Sequence, residues 1–474
     1  MMKDRRTIAA ILAAALTLTM CGVSAVAAGE ADSSAAPDSS VSVQADQADS
    51  SAAVGGTPED ASSGDTGAAD SSQTGKAGED QAAQDTQDTQ DSQDSQTEEH
   101  PEPELIPPDA VGTVSFANVS RRLRENNLSV LSLEENINAI KAIDYEKMGD
   151  DIRKNLNSIA DAQWFMTISG NSFAAKSMSS SYESLKDTFD DIRDGKLQED
   201  NEAVIRQLEN AQDQVAMAGE SLYIALTEME LNGQGLSRSI TALDRTIKEL
   251  NLRYDLGQIS ALTLEQTKAG RTSALSGQET LTMNICTYKT QLEQMIGAEL
   301  TGKIKLQGLP QVTGQQLAAM DLDKDLAAAK EASYTLFAAQ RTLDDARDDF
   351  KDTAEDYMYN TGKYQYVTAQ HQWQAAQYTY NAAVQSFETS FRTLYLQVKD
   401  YQQVLQAAKT ALATEQDNFA AAQKKHDLGN LSDNALADAK DKVSEAQDKV
   451  DGAAIDLFSA YNNYRWAVDH GILN

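Results

Sequence analysis

The sequence predicts an all-α protein built from two tandem repeats of long antiparallel coiled-coil helical hairpins, with at most a vestigial β-hairpin beside them. Three observations carry this. The 474-residue chain has seven prolines, very few of them after residue 111, so little interrupts helical periodicity there. Apolar residues recur at alternating spacings of three and four. A helix-stopping phrase occurs twice, as "RYDLGQIS" at 253–260 and "KHDLGNLS" at 425–432.

Residues 1–28 read as an export signal: Lys3, Arg5 and Arg6 precede an apolar run, and Ala25 and Ala27 supply small residues for cleavage. Two other readings stay open, an uncleaved anchor, since the run approaches a bilayer span, and lipidation at Cys21, before which the bulky Met20 is unfavourable. The protein is expected outside the cytoplasm, in the cell envelope, secreted across or tethered to the plasma membrane. Cys286 is the only other cysteine and reads as a small packed residue.

Residues 29–108 form an acidic Ser/Ala/Asp/Gln-rich linker that contains "QDTQDTQDSQDSQ" and carries roughly half of the net charge of −33. So few large apolar residues cannot offset chain entropy, which predicts a disordered, extended spacer. The acidic balance argues against nucleic acid and anionic membranes as partners.

Residues 109–474 form the helical domain, with repeat one over about 111–308 and repeat two over about 309–474. Leu436, Ala439, Val443, Ala446, Val450, Ala453, Leu457 and Ala460 make a strict seam. Val398, Tyr401, Leu405, Ala408, Leu412, Glu415, Phe419 and Ala422 make its mate across the second phrase, which predicts an antiparallel hairpin. At each turn a glycine, Gly257 or Gly429, supplies the left-handed residue that ends a helix, and Ser260 or Ser432 caps the next one. The offset between the phrases also superimposes "SLYIALTEME" at 221 on "TLYLQVKDYQ" at 393, pairing Tyr223 with Tyr395 and Leu264 with Leu436. A register held that long marks a duplication.

The paired turns, the duplication and the opening segment "VSFANVSRRLRENNLSVLSLEENI" together resemble the TolC-like outer-membrane efflux family over about 111–474. The family's tip reads roughly Tyr-x-x-Gly-x-(Ile/Leu/Val)-(Ser/Thr). The first tip has Tyr254, Gly257, Ile259 and Ser260; the second has His426 in place of the tyrosine, then Gly429, Leu431 and Ser432. The resemblance implies a homotrimer, and tips that dock a hairpin adaptor linked to a membrane transporter. It also places pore acids just after the second tip, where Ala435 and Asp438 stand, so only Asp438 is retained. Asp433 offers a substitute charge or, equally, a helix-start carboxylate favoured by the macrodipole.

One family feature fails. A membrane-spanning barrel strand needs about 9–11 alternating residues, yet "EDYMYNTGKYQYVTA" offers only a stub hairpin, with Tyr357, Tyr359, Tyr364 and Tyr366 around its turn. "WFMTISGNSF" offers a shorter break, with helix resuming near Tyr182. No spanning β-barrel is expected.

No catalytic set, metal-ligand spacing or phosphate loop is visible, so neither an enzyme nor a cofactor is predicted. His426 reads as a pH-sensing group or as an exposed polar turn residue. The leading function is an exported component of an efflux or secretion conduit; the alternative is a non-channel extracytoplasmic coiled-coil scaffold or envelope spacer.

Overall fold

The computed structural model describes residues 109–473; the readings made for 1–28 and 29–108 lie outside them. In chain order the elements are β1 (Thr113–Val114), α1 (Phe116–Asn126), α2 (Leu128–Lys141), α3 (Tyr145–Ile168), α4 (Ser172–Arg193), α5 (Lys196–Asp255), α6 (Ala261–Met295), β2 (Lys305–Leu306), α7 (Gly314–Ala319), α8 (Leu322–Ala332), α9 (Tyr334–Asp356), α10 (Tyr364–Asp427) and α11 (Asp433–His470). The fold is all-α. Its strands, among the described residues, are one two-residue parallel pair, Thr113 on Lys305 and Val114 on Leu306, and no barrel forms.

The long helices follow the seams. Along the outer part of α10, Tyr401, Leu405, Ala408, Leu412, Glu415, Phe419 and Ala422 are half-buried while most of their neighbours are exposed. On α11, Leu436, Ala439 and Val443 are half-buried, and Ala446, Val450, Ala453, Leu457 and Ala460 are buried. At roughly 1.5 Å per residue the 64 residues of α10 extend about 96 Å. Helices α5 and α6 form the first hairpin, α10 and α11 the second, and α5 packs on α11, giving the row α6, α5, α11, α10.

The core lies about 50 Å of helix away from the turns. In the second half it gathers Leu326, Ala329, Leu336, Phe387, Phe391, Val398, Leu457 and Tyr464; in the first half Val119, Leu123, Tyr223, Leu226, Leu292 and Ile296. Ile224, Ile455 and Phe458 join the halves. The Tyr223 hydroxyl donates to the carbonyls of Val114 (3.1 Å) and Gln307, so it pins both strands to the core.

Each half closes in the same way. α1 and α8 have 11 residues each and stop at Asn127 and Ser333, whose side chains cap the following helix. The returning helices end at Gly297 and Gly471, with φ of +66° and +63°. A Cβ would lie 2.6 Å from Asn126 Cβ at the first and 2.3 Å from Ser333 Cα at the second, so each glycine seats a helix end on the break in its own half.

Three local expectations change. Cys286, expected to be a small packed residue, is exposed on α6. The stub hairpin around the tyrosines is absent: α9 runs to Asp356, α10 starts at Tyr364, and the link is a helical turn. Tyr359 N–H donates to Ala354 O (2.7 Å) and Gly362 N–H to Asn360 Oδ1 (2.9 Å). Tyr366 and Trp373, one heptad apart, both pack on Phe350 of α9, at 5.4 and 5.2 Å between ring centroids. The helical period therefore wins over a two-residue alternation. In "WFMTISGNSF" helix resumes at Ser172, not near Tyr182, because the Asn171 side chain accepts from Ala174 N–H (3.3 Å) and starts α4.

Candidate docking tips

The two turns have one geometry. Gly257 N–H donates to Tyr254 O (2.8 Å) and Gln258 N–H to Arg253 O (2.8 Å); Gly429 N–H donates to His426 O (2.8 Å) and Asn430 N–H to Lys425 O (2.9 Å). This paired closure satisfies the last carbonyls of a helix and needs a left-handed residue, supplied by Gly257 at φ +70° and Gly429 at φ +72°. Ser260 and Ser432 Oγ then accept from Thr263 and Ala435 N–H, each at 3.3 Å.

The sequence-predicted apolar contacts do not face outward equally. Ile259 and Leu431 fold back and are half-buried. Leu256 and Leu428, the residues before the glycines, are 63% and 75% exposed, with Leu252, Leu262 and Tyr254 exposed beside the first. The shared leucine of "DLG" was the signal available in the sequence for these positions. The tips lie at the same end, because α5 runs into the first turn alongside α11 leaving the second, and Asn434 Nδ2 donates to Glu249 Oε2 (2.8 Å) between them.

The acids after the second tip both have partners within the chain. Asp433 Oδ1 lies 2.7 Å from His426 Nε2. That contact outweighs the opposing desolvation and raises the His426 pKa above the ordinary 6.5. Asp438 lies 3.0 Å from Arg245 on α5, which also pairs with Asp441. Further along, Arg238 pairs with Asp448. Asn434, Asp441 and Asp448 are spaced by sevens, as are Arg245 and Arg238, so α11 presents a polar heptad to α5 and an apolar one to α10. These pairs are part-exposed, and each contributes on the order of 0.2–1 kcal/mol. Arg245 and Arg238 were missed because charges on a helix read as a solvated face.

Fold and tips together define a helical-hairpin protein that presents two like turns at one end. The chain is similar to solved outer-membrane efflux channels of the TolC family. With VceC from Vibrio cholerae it shares 12% identity at a TM-score of 0.43, covering 75% of this chain and 96% of that one. With the Campylobacter jejuni CmeC outer membrane channel the values are 13%, 0.40, 61% and 68%. With the outer-membrane channel OprN they are 12%, 0.46, 75% and 90%. No protein-family model and no curated protein sequence matches the chain. Identities this low and TM-scores below 0.5 leave function to be argued from the tips themselves. Among the described residues no cluster of His, Cys, Asp or Glu is arranged to hold a metal, and no helix is long and apolar enough to cross a membrane.

Proposed function

We propose that this chain is an exported component of an efflux or secretion conduit in the cell envelope, whose paired tips dock a hairpin adaptor of a membrane transporter. The observation that carries the reading is the pair of like turns side by side, each presenting an exposed leucine, Leu256 or Leu428, on a rigid helix end. A rigid, solvent-facing apolar turn suits recognition of a partner's helical tip, since little ordering entropy remains to be lost on binding. On this reading Tyr254, Gly257, Ile259, Ser260, His426, Gly429, Leu431 and Ser432 frame the contact, and the chain acts as a homotrimer. Residues 1–28 direct export and 29–108 space the two-repeat helical domain from the membrane.

The test is imaging of the purified protein with and without a candidate hairpin adaptor. A three-fold ring that gains adaptor density at the tips supports the proposal. Leu256→Asp with Leu428→Asp is expected to abolish that density and leave the ring. A chain that stays monomeric at high concentration and binds no hairpin adaptor overturns it.

The pairing of Asp438 with Arg245 favours a second reading, a non-channel scaffold, because that acid already has a partner within the chain. Under it, Asp438→Ala leaves activity untouched; loss of export on this substitution rejects it.

A further inference from the structure

The link between α3 and α4 is a third rigid turn. Gly170, at φ +78°, donates its N–H to Thr167 O (3.2 Å), and Asn171 N–H donates to Met166 O (3.0 Å), the same paired closure as at the docking tips. Around it Trp164, Phe165, Ile168 and Phe173 are each between 63% and 86% exposed. The hairpin is fastened near its base, where Asn201 Nδ2 of α5 donates to Tyr145 Oη (2.7 Å). From there the 24 residues of α3 carry the turn about 36 Å outward. Along α5, Asn201 and Leu256 are separated by about 80 Å of helix, so this turn is a surface distinct from the docking tips.

Two observations say what covers it. The chain has 73 acidic residues, yet residues 162–182 contain no Asp or Glu and a single charge, Lys176. Absence of carboxylates is what entry into an apolar layer requires, because each would have to be desolvated. The four apolar side chains also lie on both sides of the turn and crown the hairpin end. A partner helix would be met by a stripe at heptad spacing, whereas a crown meets a plane. Thr167, Ser169 and Asn171 stand among them with groups that can bond to lipid headgroups, and the indole of Trp164 suits the same boundary. No described helix is long and apolar enough to cross a membrane, so entry stops at the interface.

We propose that the α3–α4 turn inserts Trp164, Phe165, Ile168 and Phe173 into the interface of a zwitterionic lipid bilayer. Net charge of −33 sets the lipid class, since it repels an anionic surface. The inference does not rest on the docking function proposed above.

The test adds phosphatidylcholine vesicles with brominated acyl chains, which quench indole emission on contact, to the full chain. Trp466 is buried and Trp373 is stacked on Phe350, so Trp164 is the tryptophan open to lipid. A readout local to Trp164 is not imitated by attachment through residues 1–28. Saturable quenching is expected. Phe165→Ser with Phe173→Ser should raise the lipid concentration for half-maximal quenching by at least about tenfold, or abolish quenching. Ile168→Asp should do the same, and it decides the matter if the double variant does not fold. Met283→Ser, at an exposed apolar position on α6, should leave quenching unchanged. No quenching at millimolar lipid, undiminished quenching in either folded crown variant, or an equal loss in Met283→Ser overturns the proposal. So does an emission shift that follows protein concentration and not lipid, which would assign the crown to a second copy of the chain.

Discussion

Replacing Glu293 by glutamine is expected to release the segment that leads from α6 into β2. Glu293 is 1% exposed, yet it carries the charge needed to hold a turn. Oε2 accepts from Thr301 and Gly302 N–H, each at 2.6 Å; Oε1 accepts from Lys303 N–H (3.1 Å), Ile304 N–H (3.0 Å) and Thr301 Oγ1 (3.1 Å). Glutamine fits the space but has one oxygen, so in either orientation its amide nitrogen faces at least two backbone N–H groups. At about 1–3 kcal/mol for each buried unsatisfied donor, the cost is about 2–6 kcal/mol, a large share of the roughly 5–15 kcal/mol that stabilises a domain.

Amide hydrogen exchange reads the effect locally. Thr301, Gly302, Lys303 and Ile304 should lose protection in Glu293→Gln before the α10–α11 hairpin does, and the urea midpoint should fall. Unchanged protection at those amides, or a loss below about 1 kcal/mol, would refute the reasoning. The pH dependence has a fixed sign. Burial pushes the Glu293 carboxyl upward, but the donors of Gly302, Ile304 and Thr301 outweigh it and hold the pKa below the ordinary 4.5. A depressed folded pKa means the contribution is present above the unfolded value and is lost as pH falls through the folded one.

Further outcomes follow from the glycines and from His426. Gly471→Ala places Cβ 2.3 Å from Ser333 Cα, where backbone cannot yield, and with left-handed strain should cost about 2–6 kcal/mol in urea unfolding. Gly429→Ala meets open space and should cost only about 1–2 kcal/mol. By NMR titration His426 should show a pKa above 6.5 that falls toward 6.5 in Asp433→Asn. Since a raised folded pKa stabilises below the unfolded value and ceases to as pH rises through the folded one, the second tip should loosen on that rise while the first does not.

The hairpins were legible because their seams repeat every three or four residues over long stretches, and because glycine and serine mark the turns by chemistry that acts within a few residues. The tyrosine cluster was misread because Tyr364 and Tyr366 suit a strand as well as a helix over so short a span; only Phe350, across the turn, decides. The polar face between α5 and α11 was illegible for a different reason. Arg245 and Asp438 stand 193 residues apart, and no local rule distinguishes such charges from solvated ones. Glu293 was hidden in the same way, since a buried carboxylate looks like any surface acid until its donors are known.

The short parallel pair sets where the described chain is anchored. Thr113–Val114 enters beside the core and lies on Lys305–Leu306, with Tyr223 beneath both, while at the other end Gly471 sits on Ser333. Both ends of the described chain are thus fastened to the core, the first through β1 on β2 and the last through Gly471 on Ser333. A tether or tag at residue 109 or 473 therefore sits about 50 Å of helix away from both turns and leaves them uncovered.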